Sequence, residues 1–230
     1  MTKSDKSARC EVIDALASVV ASLRLAHPIR VAIDGNSCSG KTSVANELAT
    51  ALQLLGCPTL RASIDDFHCK GYRDRSMRGE WTPPLYYDEG YDFHTFRAWM
   101  LEPFGPGGSR RCRTAMLRTS DDVLLPEVWH DVSDDTVVIV DGILLLHPKL
   151  ADHWDYVIWL DVDVETMVER ACQRDGDWYG SREAAERRYR QFRLPIYTWY
   201  ERQAEPSRHA HTIIDNLDFE QPRLLRLTQP

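Results

Sequence analysis

Apolar residues recur along this chain with two different periods, and the switches between them predict an alternation of helix and strand. Val12, Ile13, Leu16, Val19, Val20 and Leu23 follow the helical repeat, while Glu11 and Asp14 interrupt what would otherwise be the apolar core of a targeting leader. That spacing predicts an amphipathic packing helix. Ile29, Val31 and Ile33 then predict a strand, and Val44, Leu48, Ala51 and Leu54 a helix stopped by Gly56. Residues 59–64 read as the next strand, completing a βαβ unit. Continuous apolar runs at 137–140 and 157–160 have the character of strands buried on both faces of a parallel sheet, and Ile213 and Ile214 supply a last one.

Between these elements, residues 68–90 are rich in Gly, Pro, Arg and Tyr and are expected to form a long binding loop or lid. A helix is expected over 93–101. The turn Gly105-Pro106-Gly107-Gly108 is followed by two arms, 111–119 and 123–129, joined at Ser120-Asp121-Asp122 as a hairpin insertion within about 109–131. With 230 residues and 43% hydrophobic content, one α/β domain spanning 1–230 accommodates the whole chain.

The strongest chemical signal sits between the first strand and the second helix. Gly35-Asn36-Ser37-Cys38-Ser39-Gly40-Lys41-Thr42, with Ser43 next, matches the G-x-x-x-x-G-K-[ST] phosphate loop. Glycines let successive N–H groups converge on an anion, and the following helix adds its positive end. Lys41 is expected to reach the β- and γ-phosphates of ATP, and Thr42 to place its hydroxyl on Mg²⁺. Asp141 closes the 137–140 strand and is the second metal candidate. Asp65-Asp66 follows the second strand at the same edge of the sheet, where a carboxylate can orient an alcohol and take its proton. Farther on, Arg170 and Arg174 stand four apart, residues 176–181 break the helix, and Arg182, Arg187, Arg188, Arg190 and Arg193 follow. Glu183 with Arg187 and Glu186 with Arg190 read as a salt-bridged surface face, so Arg174 and Arg182, flanking the break of a lid over about 175–183, are the expected catalytic cations.

Charge and cysteine usage narrow the partners. A formal net charge of -7 argues against a nucleic-acid surface, and no apolar stretch approaches a membrane span, so a cytoplasmic protein is expected. Homo-oligomerisation is left open. The six cysteines show no C-x-x-C spacing, which indicates neither zinc nor a disulfide framework, and Cys38 is expected to be a passive member of the loop.

In this order, the phosphate loop, Asp65-Asp66-Phe67-His68, Tyr87-Asp88, the strand end Val140-Asp141-Gly142-Ile143 and the arginine-rich lid resemble the uridine kinase branch of the P-loop nucleoside kinases, with nicotinamide riboside kinases as relatives. The resemblance covers roughly residues 30–216. It implies a P-loop three-layer sandwich with a parallel five-stranded sheet of order 2-3-1-4-5, ATP and Mg²⁺ as cofactors, and a nucleoside-like acceptor. It further implies Asp65 as the base, Asp141 on the metal, and Tyr87 and Asp88 on ribose hydroxyls. His68 is an additional acceptor-contacting candidate. The Tyr and His that uridine kinases carry on the hairpin have no counterpart in residues 111–118, so pantothenate-type and nicotinamide riboside acceptors stand as alternatives. A nucleotide-binding regulatory protein without turnover is the reading from another class. Retention of Lys41, Thr42, Asp65 and Asp141 together argues against it.

Overall fold

The computed structural model describes residues 7–228. Helix α1 (Ala8–Ser22) begins at Ser7, whose hydroxyl accepts from the Cys10 N–H at 3.3 Å. It buries Val12, Ile13, Leu16 and Val20, as the spacing predicts. Strand β1 (Ile29–Gly35) is buried along its whole length and runs into the phosphate loop and helix α2 (Lys41–Leu54). Strand β2 (Thr59–Ser63) turns directly into a 3₁₀ segment, Ile64–Phe67.

Residues 68–90 are more regular than a loop. They contain helices α3 (Tyr72–Met77) and α4 (Pro83–Glu89). The signal for α4 is present in the sequence: Thr82 caps it by accepting from the Leu85 N–H, and Pro83 and Pro84 occupy first-turn positions where no N–H is needed. Helix α5 (Phe93–Phe96) continues into a widened π turn at Arg97–Leu101, filling the expected 93–101 helix.

The hairpin is present but interrupted. Strands β3 (Arg111–Cys112) and β6 (His130–Asp131) pair at its base, and β4 (Leu117–Arg118) and β5 (Val123–Leu124) at its tip. Next to the tip ladder, Leu125 N–H donates to the Met116 carbonyl at 2.9 Å while the Met116 N–H turns away to the Asp66 carbonyl at 3.1 Å, and at the tip Thr119 Oγ1 donates to the Asp65 carbonyl at 2.6 Å. The tip is thereby fastened to the expected catalytic turn.

The remaining strands are β7 (Val137–Gly142), β8 (Tyr156–Asp161), β9 (Thr212–Asp215) and β10 (Arg223–Leu227). Between β8 and β9 lie α6 (Val164–Asp175), α7 (Arg182–Arg188), a π turn at Tyr189–Arg193, and α8 (Leu194–Ala204). The sheet order is β10-β9-β8-β1-β7-β2. Its five parallel strands, counted along the chain, run 2-3-1-4-5 as expected; the sequence analysis missed the sixth, β10, which pairs antiparallel with β9 at the edge. Alternating Arg223, Leu224, Leu225, Arg226 and Leu227 leave β10 largely exposed, so it carries no buried apolar run to betray it.

Strand side chains alternate between the two faces. Val31, Ile33, Ile139 and Ile158 pack under α1 and α2, while Ala32, Val138, Val140 and Trp159 pack under the layer containing Phe67, Phe96 and Tyr200. The result is helix, sheet, helix, with the strand ends of β1, β2 and β7 opening on one edge.

Gly142 is required at that edge. Its φ is +155°, and an added Cβ would lie 2.2 Å from Ile64 Cγ2. Gly142→Ala should lower stability by about 1–3 kcal/mol, because Ile64 is fully buried and has nowhere to retreat; a urea midpoint equal to that of the unsubstituted protein would contradict this packing.

Candidate active site

Two glycines and one asparagine shape the phosphate loop. Gly35 has φ +151° and an added Cβ would stand 2.7 Å from the Leu160 carbonyl oxygen; Gly40 has φ +94° and its Cβ would meet Asn216 Nδ2 at 2.5 Å. That same Nδ2 donates to the Ser39 carbonyl at 2.6 Å, holding the loop against the end of β9. Cys38 takes φ +59°, a left-handed conformation that costs a side-chain-bearing residue energy and is tolerated where the surroundings impose it. Burial pushes the Cys38 thiol pKa up, consistent with a passive role for this residue. Helix α2 has no side-chain cap, so its first N–H groups are available to an anion. The Ser39 hydroxyl oxygen is buried without a partner.

Ser37, Cys38, Gly40, Lys41, Thr42 and Ser43 line a cavity of about 590 Å³. Gly35, Asn36 and Ser39 are outside its lining: Gly35 and Ser39 sit behind the loop, and Asn36 donates to Glu201 Oε1 at 2.8 Å. Lys41 Nζ donates back to the Asn36 carbonyl at 2.7 Å, and desolvation pulls its pKa down. Thr42 Oγ1 donates to Asp141 Oδ2 at 2.6 Å, and Arg61 on β2 donates to the other oxygen at 2.8 Å. Arg61 went unrecognised in the sequence because nothing local distinguishes it. The sheet register sets it beside Ile139, whose carbonyl it also bonds at 2.8 Å.

Asp65 lines the same cavity, exposed to it, just past β2. Its Oδ1 accepts from Tyr91 Oη at 2.9 Å, and Tyr91 Oη accepts from Tyr86 Oη at 3.2 Å. His68 lies between the rings of Tyr72 and Tyr91, with centroids 3.8 and 4.3 Å away. Its Nδ1–H donates to the Asp65 carbonyl at 2.7 Å, and burial depresses its pKa to about 4, so it stays neutral and holds the Asp65 turn. Asp66 does not line the cavity; burial, and then the Asp65 charge, raise its pKa to about 6.

The structure does not bring Tyr87 and Asp88 to this cavity. Both lie on α4, where Tyr87 packs on His147 at 4.4 Å between centroids and Asp88 is exposed. From α4 the residue that reaches the cavity is Tyr86, joined from just beyond the helix by Tyr91. A helix in place of the expected loop reverses which neighbouring side chains face inward.

Among the arginines, Arg174 is where the spacing put it, lining the cavity while paired with Asp175 at 2.7 Å and donating to Tyr189 Oη at 2.9 Å. Arg182 is not in the lining; it is exposed and paired with Glu169. Arg170 and Arg193, which the sequence analysis set aside, take its place. Arg170 bonds the Asn216 carbonyl at 2.8 Å and the Leu217 carbonyl at 3.0 Å, and with Phe219 borders the outer end beside Gly40. Arg193 donates to Tyr72 Oη at 2.7 Å at the opposite end. Its position follows from the π turn at Tyr189–Arg193, a widening frequent at functional sites.

The residues fit a magnesium nucleotide. The uncapped α2 and the Cβ-free curve at Gly40 form an anion cradle, and Thr42 with Asp141 supplies two hard oxygen donors. Among the described residues there is no group of three or more His, Cys, Asp or Glu side chains suited to a metal. A metal here would share its coordination with phosphate oxygens.

No protein-family model matches the chain. Solved structures do. A possible uridine kinase from Bacillus stearothermophilus matches with a TM-score of 0.68 and 18% identity, over 88% of this chain and 97% of that one. A protein described as a fructose transport system kinase from a Silicibacter species matches with a TM-score of 0.68 and 24% identity, over 84% and 94%. Phosphoribulokinase from Rhodobacter spheroides matches at 0.52 and 15%, over 89% and 76%. The architecture is thus the α/β fold of the P-loop kinases, and the likeness in fold includes the uridine kinase-like branch that the motifs resemble. No helix of the described residues is long and apolar enough to cross a membrane.

Behind the phosphate loop, Asp34 is fully buried and accepts from the Gly35 N–H at 2.7 Å and from Tyr200 Oη; burial raises its pKa from 3.8 to about 6. The folded state therefore holds this proton more tightly than the unfolded state. The contribution is complete below about pH 4 and is lost as pH rises through about 6. Asp34→Asn should remove this loss, so that its stability relative to the parent improves by roughly 3 kcal/mol between pH 4 and pH 7. Parallel stability profiles from denaturant titrations across that range would refute it.

Proposed function

We propose that the protein is an ATP-dependent kinase that transfers the γ-phosphoryl group to a hydroxyl of a small, nucleoside-like molecule. The observation that carries this reading is the opening of the phosphate loop and the Asp65 carboxylate onto one cavity, with Arg174 and Arg193 also on its wall. The fold's similarity to solved structures named as kinases supports it.

Lys41, released from the Asn36 carbonyl, neutralises the β- and γ-phosphates, and the α2 N–H groups orient them. Thr42 and Asp141 would hold Mg²⁺, which would supply charge compensation to the phosphates when bound. Asp65 accepts the proton of the attacking hydroxyl as its oxygen bonds to the γ-phosphorus and ADP departs. Tyr91 and His68 fix Asp65 by its carboxylate and its carbonyl, so little reorganisation is needed at the reactive moment. Arg170 and Phe219, at the outer end, offer a guanidinium plane and a ring to the base of ATP.

Uridine- or cytidine-type nucleosides are the acceptors that the motif resemblance favours, and the rings of Tyr72, Tyr86, Tyr91 and His68 on the acceptor wall support a ligand with a planar part. Nicotinamide riboside and pantothenate share the necessary primary hydroxyl and belong in the same screen.

Phosphorylated product formed from ATP and this panel tests the reading. Lys41→Ala and Asp141→Asn should each reduce turnover by about 10²-fold or more in a folded protein. Asp65→Asn should lower kcat by roughly 10²–10⁴-fold with ATP affinity retained, while Asp66→Asn does far less. Near-normal turnover in Asp65→Asn, or a larger effect at Asp66, would displace the base assignment.

A further inference from the structure

A second cavity of about 370 Å³ opens beside the first. The two share Tyr72, Thr119 and Arg193, and no residue of the phosphate loop borders the second, so it prolongs the acceptor end. Thr119 joins the two chemically, since its hydroxyl donates to the Asp65 carbonyl. The annex is walled by Arg73 and Met77 of α3, Trp178 of the lid, Arg188 of α7, and Arg193.

Three of these side chains are guanidinium groups, and no acidic residue lines the annex. Arg73 stacks on the Trp178 ring at 4.8 Å, Arg188 Nη2 donates to the Ser76 carbonyl at 2.5 Å and hydroxyl at 2.9 Å, and Arg193 donates to Tyr72 Oη. These partners are all neutral. The Arg188 Nε is buried with no hydrogen-bond partner. Two nearby acids are committed elsewhere, Asp121 to Arg118 and Asp175 to Arg174, whereas Asp122 accepts from the backbone N–H of Arg73 through Oδ2 and keeps its other oxygen buried without a partner. Most ion pairs on this chain of net charge -7 consume an arginine, so a cavity bordered by three arginines without a carboxylate is conspicuous. Cations held together on neutral partners carry a desolvation and repulsion cost that an arriving anion relieves. A planar fork of N–H donors matches the oxygens of a carboxylate or phosphate. Trp178 is 63% exposed, a ring left open at the mouth.

We propose that the acceptor carries an anionic group, a carboxylate or a phosphate, away from its reacting hydroxyl, and that Arg73, Arg188 and Arg193 hold it while Trp178 covers the adjoining part of the molecule. This rests on the kinase reading above, with the hydroxyl at Asp65 and the anion in the annex. It refines the nucleoside-like acceptor to one bearing negative charge.

Pairs that differ in the anionic group and keep a free primary hydroxyl provide the test: uridine and orotidine, nicotinamide riboside and nicotinate riboside, pantothenol and pantothenate, ribose and ribose 1-phosphate. Binding is measured by calorimetry, and turnover by phosphorylated product. In at least one pair the anionic member should bind about 10- to 100-fold more tightly than its neutral partner; the carboxylate pairs and the phosphate pair then identify the anion. Arg73→Gln and Arg188→Gln should each remove most of that preference through acceptor affinity, with KM for ATP unmoved, and Arg188→Lys should restore part of it. The half-buried Arg73, whose guanidinium stacks on the exposed Trp178, serves where loss of the Arg188 bonds to Ser76 disturbs folding. Absence of an anionic preference in every pair overturns the proposal, as does a preference that survives both glutamine substitutions. Turnover of neutral members without that preference overturns the annex and leaves the kinase reading standing. Arginine-dependent anion binding without any phosphorylated product overturns the kinase reading and leaves the annex.

Discussion

The bend of the chain from β1 into α2 is the constraint on which the rest of the site depends. A Cβ on Gly35 would stand 2.7 Å from the Leu160 carbonyl oxygen, and Gly40 leaves no room beside Asn216, so the loop is clamped between β8 and the end of β9. That clamp sets Lys41 and Thr42 at the first turn of an uncapped helix, and Thr42 then meets Asp141 from the neighbouring strand at 2.6 Å. One strained residue, Cys38, is the local cost of this geometry.

A second layer of contacts holds the Asp65 turn beside this cradle. The Asp65 turn is fixed from three directions: by Tyr91 on its carboxylate, by His68 on its carbonyl, and by Thr119 from the hairpin tip. His68 achieves this as a neutral ring, because burial among aromatic side chains holds its pKa near 4. The hairpin bonds both carbonyls of the Asp65-Asp66 turn, through Thr119 at its tip and Met116 on its first arm. An insertion that looks like an appendage in sequence is thereby part of the support of the Asp65 turn.

Charge in the site is distributed by partner rather than by number. Arg174 and Arg61 are each tied to a carboxylate, Arg170 to backbone carbonyls, and Arg193 to a phenol. Cations already paired with acids are restrained and partly neutralised, whereas the hydrogen-bond partner of Arg193, the Tyr72 phenol, is neutral. The same distinction sets Arg182 aside, since its exposed pair with Glu169 is a surface feature of small energetic weight.

The sequence by itself determined the phosphate loop, the acidic ends of β2 and β7, the five parallel strands and the break between α6 and α7. Each of these is written in a local spacing: a glycine pattern, an apolar run of strand length, or a carboxylate at its end. Only the tertiary structure decided which arginines line the cavity, that Tyr86 and Tyr91 rather than Tyr87 and Asp88 face it, that Arg61 reaches Asp141, and that β10 completes the sheet. These outcomes depend on the direction in which a side chain leaves its element. A helix where a loop is expected, or a π turn inserted before α8, rotates that direction with little change in the spacing that a sequence displays. The parallel register of β2 on β7 likewise joins residues 80 positions apart, a coincidence in space that no local pattern encodes.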